Sequence, residues 1–352
     1  MFKLREKIID ARMDLFCASG AHRLAAPFTR GRGAILTFHH VRPAAARGFS
    51  PNRRLEIEPE FLDALLGHLR RCGYRFLSLD EALESLAEPA PAKAPFVALT
   101  FDDGYRDLVE FALPVLERHR APFIAYVTTD YAEGAGRLWW TELEASIARL
   151  DRIEIDAGGE FFTAKAASVS EKAQAFDRLY WRLRAGSEAE LLRVAAALCA
   201  QAGIEPSSFA KRLCLDWGDL ASLAQHELAT IGAHSVSYAR LAKLDSEAAR
   251  AEIAESRARI ALKLEIDVRH FCYPVGDPTS AGPREFALAC DLGFTSGVTT
   301  TPGVLLPEHL GAPFSLPRIS VNGRHQKIAA MDVLLSGAPF ALMNPGRGAR
   351  AA

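Results

Sequence analysis

Three short stretches carry residue types and spacings that could do chemistry. Two adjacent carboxylates, Asp102 and Asp103, end the apolar run that begins at Phe96, and Gly104 follows them. Like charges side by side are costly unless a cation or a proton sits between them. At the C-terminal lip of a barrel strand the chain is already turning, so both side chains can enter one pocket, which strand alternation would otherwise forbid. The chemical reading is one aspartate on a metal and its neighbour as a base; the plain reading is a solvated turn capping the next helix. His39 and His40 end a second apolar run, Ala34 to Phe38, and are either polar punctuation or part of a site. His234 ends a third, Ala229 to Ala233. If a helical turn begins there, His234 and Tyr238 share a face, the i,i+4 geometry of metal-binding histidine pairs.

The elements between these stretches alternate. Strands are predicted at Ala34 to Phe38, Arg75 to Leu79, Phe96 to Leu99, Pro122 to Thr129, Ala229 to Ala233, His270 to Tyr273, Phe294 to Thr300 and Pro317 to Val321. Helices fall between them: one opened by Pro59 with Gly73 after its end, one capped by Asp80, then 107–120, 246–264 and 284–292. That order predicts parallel strands with crossover helices, a (β/α) barrel, regular or distorted, of seven or eight strands. An open doubly wound sheet is the alternative, but no Gly-rich phosphate fingerprint follows the first strand. The barrel is assigned to 31–130 and 227–330. Residues 131–226 are too long for a loop and predict an inserted, mainly helical subdomain with a hairpin around Ala157-Gly158-Gly159. Its Trp139 and Trp140 either stack on sugar rings or pack on the barrel. Residues 1–30 contribute an N-terminal helix over 2–26 stopped by Pro27, Pro89 to Pro95 a linker, and 331–352 a Gly/Pro/Ala-rich tail that frays.

Composition narrows the class. The chain has 352 residues, 49% of them hydrophobic, with 42 basic and 43 acidic side chains. That is enough for a large core and gives no sign of a nucleic-acid surface. Six cysteines without C-x-x-C spacing read as buried thiols of a reducing compartment. No stretch approaches a transmembrane span, and charges interrupt every apolar run near the N-terminus. A cytoplasmic enzyme is the expectation; contact of the N-terminal helix with a membrane surface is the alternative.

With these motifs the chain resembles the nodulation-type polysaccharide deacetylases, carbohydrate esterase family 4. Thr100 to Tyr105 looks like that family's first motif, which implies Asp102 as catalytic base and Asp103 as metal ligand. His234 to Tyr238 resembles the second motif, H-[S/T]-x-x-H, so the metal ligands implied are Asp103, His234 and the residue at position 238. Phe271 to Gly276 resembles the third, which implies that Tyr273, Pro274 and Val275 shape the groove and supply an oxyanion-hole amide. Gly293 to Thr300 is similar to the strand after it. The resemblance covers roughly residues 33 to 130 and 215 to 321. Three departures stand out: the second metal histidine is Tyr238, whose phenol ordinarily titrates near pH ~10; the base-orienting arginine of the third motif is Cys272, with Arg269 out of register; and the L-x-H motif that supplies the general acid is absent around Leu316 to Val321. A branch that deacetylates poly-N-acetylglucosamine carries its acid histidine on the first strand, and Phe38-His39 looks like that arrangement, with His40 the rival. The resemblance therefore implies one divalent metal, zinc for a mixed carboxylate/imidazole set, and N-acetylated oligo- or polysaccharide as substrate. A small amide or cyclic imide hydrolase, or a catalytically weakened carbohydrate-binding module, are the other readings.

Overall fold

The computed structural model describes residues 16–44, 48–89 and 94–343. Among them, the strands are β1 (Gly33–Phe38), β2 (His40–Val41), β3 (Glu56–Ile57), β4 (Arg75–Phe76), β5 (Phe96–Phe101), β6 (Phe123–Val127), β7 (Arg152–Asp156), β8 (Phe161–Lys165), β9 (Ala229–Ala233), β10 (His270–Cys272), β11 (Ser296–Pro302) and β12 (Leu316–Ser320). Parallel pairing in the order β1-β12-β11-β10-β9-β6-β5, with β5 returning to β1, closes a seven-stranded barrel. β1 and β5 run in register from Gly33 opposite Phe96 to Phe38 opposite Phe101. β4, one of the eight strands expected from the sequence, is two residues long and pairs only with Phe96 and Val97 at the start of β5.

Alternation along each strand sorts the side chains. Leu36, Phe38, Val97, Leu99, Phe101, Phe123 and Ala125 join the core under the surrounding helices. Ile35, Ala98, Ile124, Tyr126, Cys272, Val298 and Leu316 form a second cluster inside the barrel. Both faces are therefore dry, which is why these strands appear in sequence as unbroken apolar runs.

Several local features differ from expectation. The helix Leu79–Ala87 is capped by Ser78, whose hydroxyl accepts from Glu81 N. Asp80 instead lies 2.9 Å from the Arg269 guanidinium and 3.2 Å from His270 Nε2. Pro27 does not stop its helix, which runs Ala21–Thr29; Arg30 N still reaches Ala26 O at 3.1 Å, so the turn closes beyond the proline. Most of the proposed N-terminal helix, residues 2–15, and linker residues 90–93 lie outside the described residues. Beyond Met331, residues expected to fray form helices instead, Ile328–Leu335 and Ala338–Met343, because Ala330, Met331, Val333, Leu335 and Ala338 are buried. No helix among the described residues is long and apolar enough to cross a membrane.

The segment between β6 and β9 holds the helix Trp139–Arg149, the antiparallel β7–β8 hairpin and the helices Val169–Ala185, Glu188–Gln201, Ser208–Leu213 and Trp217–Ala224. It builds its own core, from Leu143, Ile147, Ile153, Phe162, Leu179 and Leu198, and joins it to Tyr105 and Tyr131 beside the barrel rim. Trp139 and Trp140 belong to that core and are 5% exposed, so packing accounts for most of their surface.

Candidate active site

The C-terminal ends of the strands open into a cleft of about 790 Å³. His39 after β1, Asp103 after β5, Tyr238 after β9, Val275 after β10 and Thr300 on β11 line it, with Trp140 and Tyr180 from the segment between β6 and β9. The backbone there is unusual. Asp103 (φ 71°), Ser235 (φ 63°), Tyr238 (φ 68°) and Val275 (φ 62°) all adopt left-handed conformations, uncommon for non-glycine residues and an outlier for a β-branched one. Surrounding bonds hold this strain in place, as at many functional sites. Thr300 binds the Val275–Gly276 turn through Oγ1 to Val275 O and N to Gly276 O, both at 2.9 Å. Glu252 accepts the amides of Val236 and Ser237, each at 2.9 Å, and Ser235 Oγ accepts Tyr238 N at 3.0 Å. Those bonds replace the helical turn expected at His234, yet the His234 and Tyr238 rings still meet, with centroids 5.2 Å apart.

The two carboxylates divide sharply. Asp102 continues the inward alternation of Ala98 and Thr100 and is met by Arg318 from β12. Two bonds, Nη1 to Oδ1 at 2.7 Å and Nη2 to Oδ2 at 2.8 Å, form a bidentate pair. Arg318 is itself fixed, donating through Nε to Thr299 O at 2.8 Å and through Nη1 to Thr100 Oγ1 at 3.0 Å. Burial alone would raise the Asp102 pKa, but the guanidinium's charge and hydrogen bonds outweigh it and hold the carboxyl well below the usual range. Sequence reasoning missed Arg318. It sits at the third position of Leu316-Pro317-Arg318, in the stretch where an L-x-H histidine was sought. The available signal was its period-two spacing from the inward Leu316: an arginine inside a barrel demands a buried anion. Arg269, the neighbour of the third motif, is on Asp80 and takes no part.

Asp103 is turned aside by its positive φ. It is 1% exposed, and neither carboxylate oxygen has a hydrogen-bond partner among the described residues. His234 Nε2 lies 3.4 Å from its Oδ1. The other nitrogen, Nδ1, is 2.7 Å from Cys272 O; a carbonyl can only accept, so Nδ1 carries the hydrogen and Nε2 faces the carboxylate. An orphaned buried carboxylate opposite an imidazole nitrogen oriented by a carbonyl fits a divalent cation. Burial disfavours charge on His234, yet Cys272 and Asp103 outweigh it and raise its pKa well above the ordinary value. Asp102, His234 and Cys272 also bring ligand-type atoms within 4.8 Å of one another, but Arg318 occupies both Asp102 oxygens and approaches Cys272 Sγ at 3.3 Å. Tyr238 stands at the edge of this centre, against Trp140 with ring centroids 4.8 Å apart. Burial, then Asp103 and Asp102, push its phenol well above its usual pKa, so it stays protonated.

The neighbouring histidines part company. His39 lines the cleft with Asp103. His40 stacks on Tyr105 at 3.6 Å, holds Asp107 through Nδ1 at 2.6 Å and lines a separate cavity. Burial lowers the His39 pKa, opposed in part by Asp102 and Asp103. Of the three third-motif residues, Tyr273 commits its amide to Val298 O and its hydroxyl to Phe314 O; Pro274 has no amide hydrogen. Val275 is the one that lines the cleft.

Residues 90–295 match the polysaccharide deacetylase family. The structure is similar to the Streptococcus pyogenes deacetylase PplD in complex with acetate (TM-score 0.56, 19% identity, covering 86% of this chain and 96% of that one). It is also similar to IcaB from Ammonifex degensii (TM-score 0.54, 20% identity, 86% and 97%). A de-N-acetylase from Aggregatibacter actinomycetemcomitans follows (TM-score 0.52, 12% identity, 86% and 99%). No curated protein sequence is matched. A seven-stranded parallel barrel with an aspartate pair on its C-terminal rim thus coincides with a family match over more than half the chain, and the protein belongs to the polysaccharide deacetylase family.

Proposed function

We propose that the protein hydrolyses the N-acetyl group of an amino sugar within an oligo- or polysaccharide, with a divalent metal, zinc by donor type, held by Asp103 and His234. The observation that carries this reading is the asymmetry of the aspartate pair: Asp102 clamped by Arg318, Asp103 without a hydrogen-bond partner and facing His234 Nε2 at 3.4 Å. Such an ion, when bound, polarises a carbonyl and makes a water acidic. Asp102, ionised and oriented, takes the proton of the attacking water; a carboxylate this acidic serves as base only toward a water that is itself acidified. The Val275 amide faces the developing oxyanion, a donor typically worth about 3 kcal/mol. His39 gives a proton to the leaving amine, a contribution of order 10² to 10⁴ in rate. The segment between β6 and β9 walls the cleft beside His39, and Tyr180 in that wall receives a sugar ring. The Phe38-His39 placement supports the poly-N-acetylglucosamine branch, and acetate, the ligand named with the similar streptococcal deacetylase, is the product expected here.

Metal analysis combined with an acetate-release assay tests this. Asp103→Ala is expected to lose metal, whereas Asp102→Asn keeps metal and stops turnover. Equal metal loss in both variants would sink the division of labour.

A further inference from the structure

Away from the two aspartates the cleft is cationic. Arg53 and Arg54 on the turn Pro51–Leu55, Arg184 on the helix Val169–Ala185 and Arg324 beyond β12 all line it, against Asp103 and Asp177 as the lining carboxylates. The chain as a whole carries a net charge of −1, so this excess is local. Arg53 and Arg54 are exposed, and among the described residues neither has a carboxylate partner. The Arg54 guanidinium sits 5.2 Å from the centre of the Tyr180 ring, and that of Arg184 sits 5.9 Å from the centre of the same ring. Arg184 Nη2 is 2.7 Å from Asp277, yet its buried Nε has no acceptor. Asp277 already balances Arg184, so the uncompensated positive charge beside this ring is that of Arg54, with the spare Arg184 donor next to it. A neutral acetamido sugar needs flat faces and hydroxyl partners and gains less from that excess than an anionic one. Guanidinium groups with spare donors suit carboxylate or phosphate oxygens.

We propose that this cleft selects an acidic saccharide, one whose acetamido sugar neighbours a carboxylate or phosphate group received by Arg54 and Arg184 around Tyr180, with Arg53 strengthening the field. The inference rests on the deacetylase reading for the reaction, but the binding it describes can be read without turnover.

The experiment titrates the full-length Asp102→Asn protein with three oligosaccharides of equal length, at low and at high salt. One is neutral N-acetylglucosamine, one alternates it with glucuronate, and one carries phosphodiesters. An acidic oligomer is expected to bind at least about tenfold tighter than the neutral one at low salt, the scale of one charge-assisted contact. High salt should erase most of the difference through screening. Adding Arg54→Gln and Arg184→Gln should bring the ratio toward one; Arg53→Gln with Arg54→Gln, both exposed, should lower it without touching the Asp277 pair. Whichever acidic oligomer prevails identifies the carboxylate or the phosphate as the source. Equal affinity for acidic and neutral oligomers at low salt, or a preference that survives both double variants, overturns the inference. Acetate release by the unmutated protein is read separately: acidic binding without acetate release refutes the reaction and leaves the cleft's selectivity standing.

Discussion

Replacing Arg318 by methionine isolates what the clamp on Asp102 does. The substitution keeps much of the side-chain volume but removes four hydrogen bonds to oxygen: two to Asp102, one to Thr299 O and one to Thr100 Oγ1. Both partners are almost wholly buried, with side chains 1% and 4% exposed, so water cannot replace the guanidinium without rearrangement. Breaking one side of a buried ion pair costs about 3–5 kcal/mol, a large share of the ~5–15 kcal/mol that holds a domain together. The penalty depends on pH with a definite sign. In the native protein the folded Asp102 pKa is depressed, so its contribution is present above the unfolded value of about 3.9 and lost only as pH falls through the folded one. In the variant, burial without a counter-charge raises the pKa above the unfolded value, so destabilisation grows as pH rises past about 3.9. The stability difference between the two proteins should therefore be largest at neutral pH and shrink on acidification. Urea unfolding at a series of pH values measures it directly. Activity supplies a second readout, because an Asp102 with a raised pKa moves the acid limb of the pH–rate profile upward. Arg318→Lys, which keeps charge but not the fork, should restore part of the stability and less of the rate. A stability difference that is the same at every pH, or an unshifted acid limb, would refute the clamp as the determinant of Asp102's ionisation.

Two further expectations follow from the same geometry. Because burial lowers the His39 pKa, its protonated fraction falls as pH rises through a value below the ordinary 6.5, and kcat/KM should decline on that alkaline side; His39→Ala should remove the limb and about 10² or more of the rate, whereas His40→Ala should leave the limb in place, and the reverse result would exchange their roles. Tyr238→His should bind zinc more tightly than the unmutated protein, whose affinity should rise with pH as protons are displaced from its ligands; equal affinities in zinc titrations would mean that another residue already completes the set.

Much of this protein was legible in one dimension. Runs such as Phe96 to Phe101 are apolar because both faces of a parallel strand are buried, and that dryness survives in the sequence as composition. Polar residues that end such runs, Asp102–Asp103, His39–His40 and His234, mark strand ends, and their recurrence at three such ends is what pointed to a shared rim. Helix starts at Pro59 and the hairpin at Ala157 to Gly159 are local chemistry and could be read locally. What depends on closure could not be. Whether β4 entered the barrel was decided by which edge of β5 remained available, a property of the closed sheet. Which of His39 and His40 lines the cleft depends on a single strand-end step that sends one ring to its lining and the other onto Asp107 and Tyr105. The partner of Asp102 lies 216 residues away. Family spacing puts the orienting arginine's position at Cys272, with Arg269 out of register, but a guanidinium can reach a barrel's centre from any inward strand position. Only the three-dimensional placement of β12 beside β1 and β11 determines that Arg318 is the one that does.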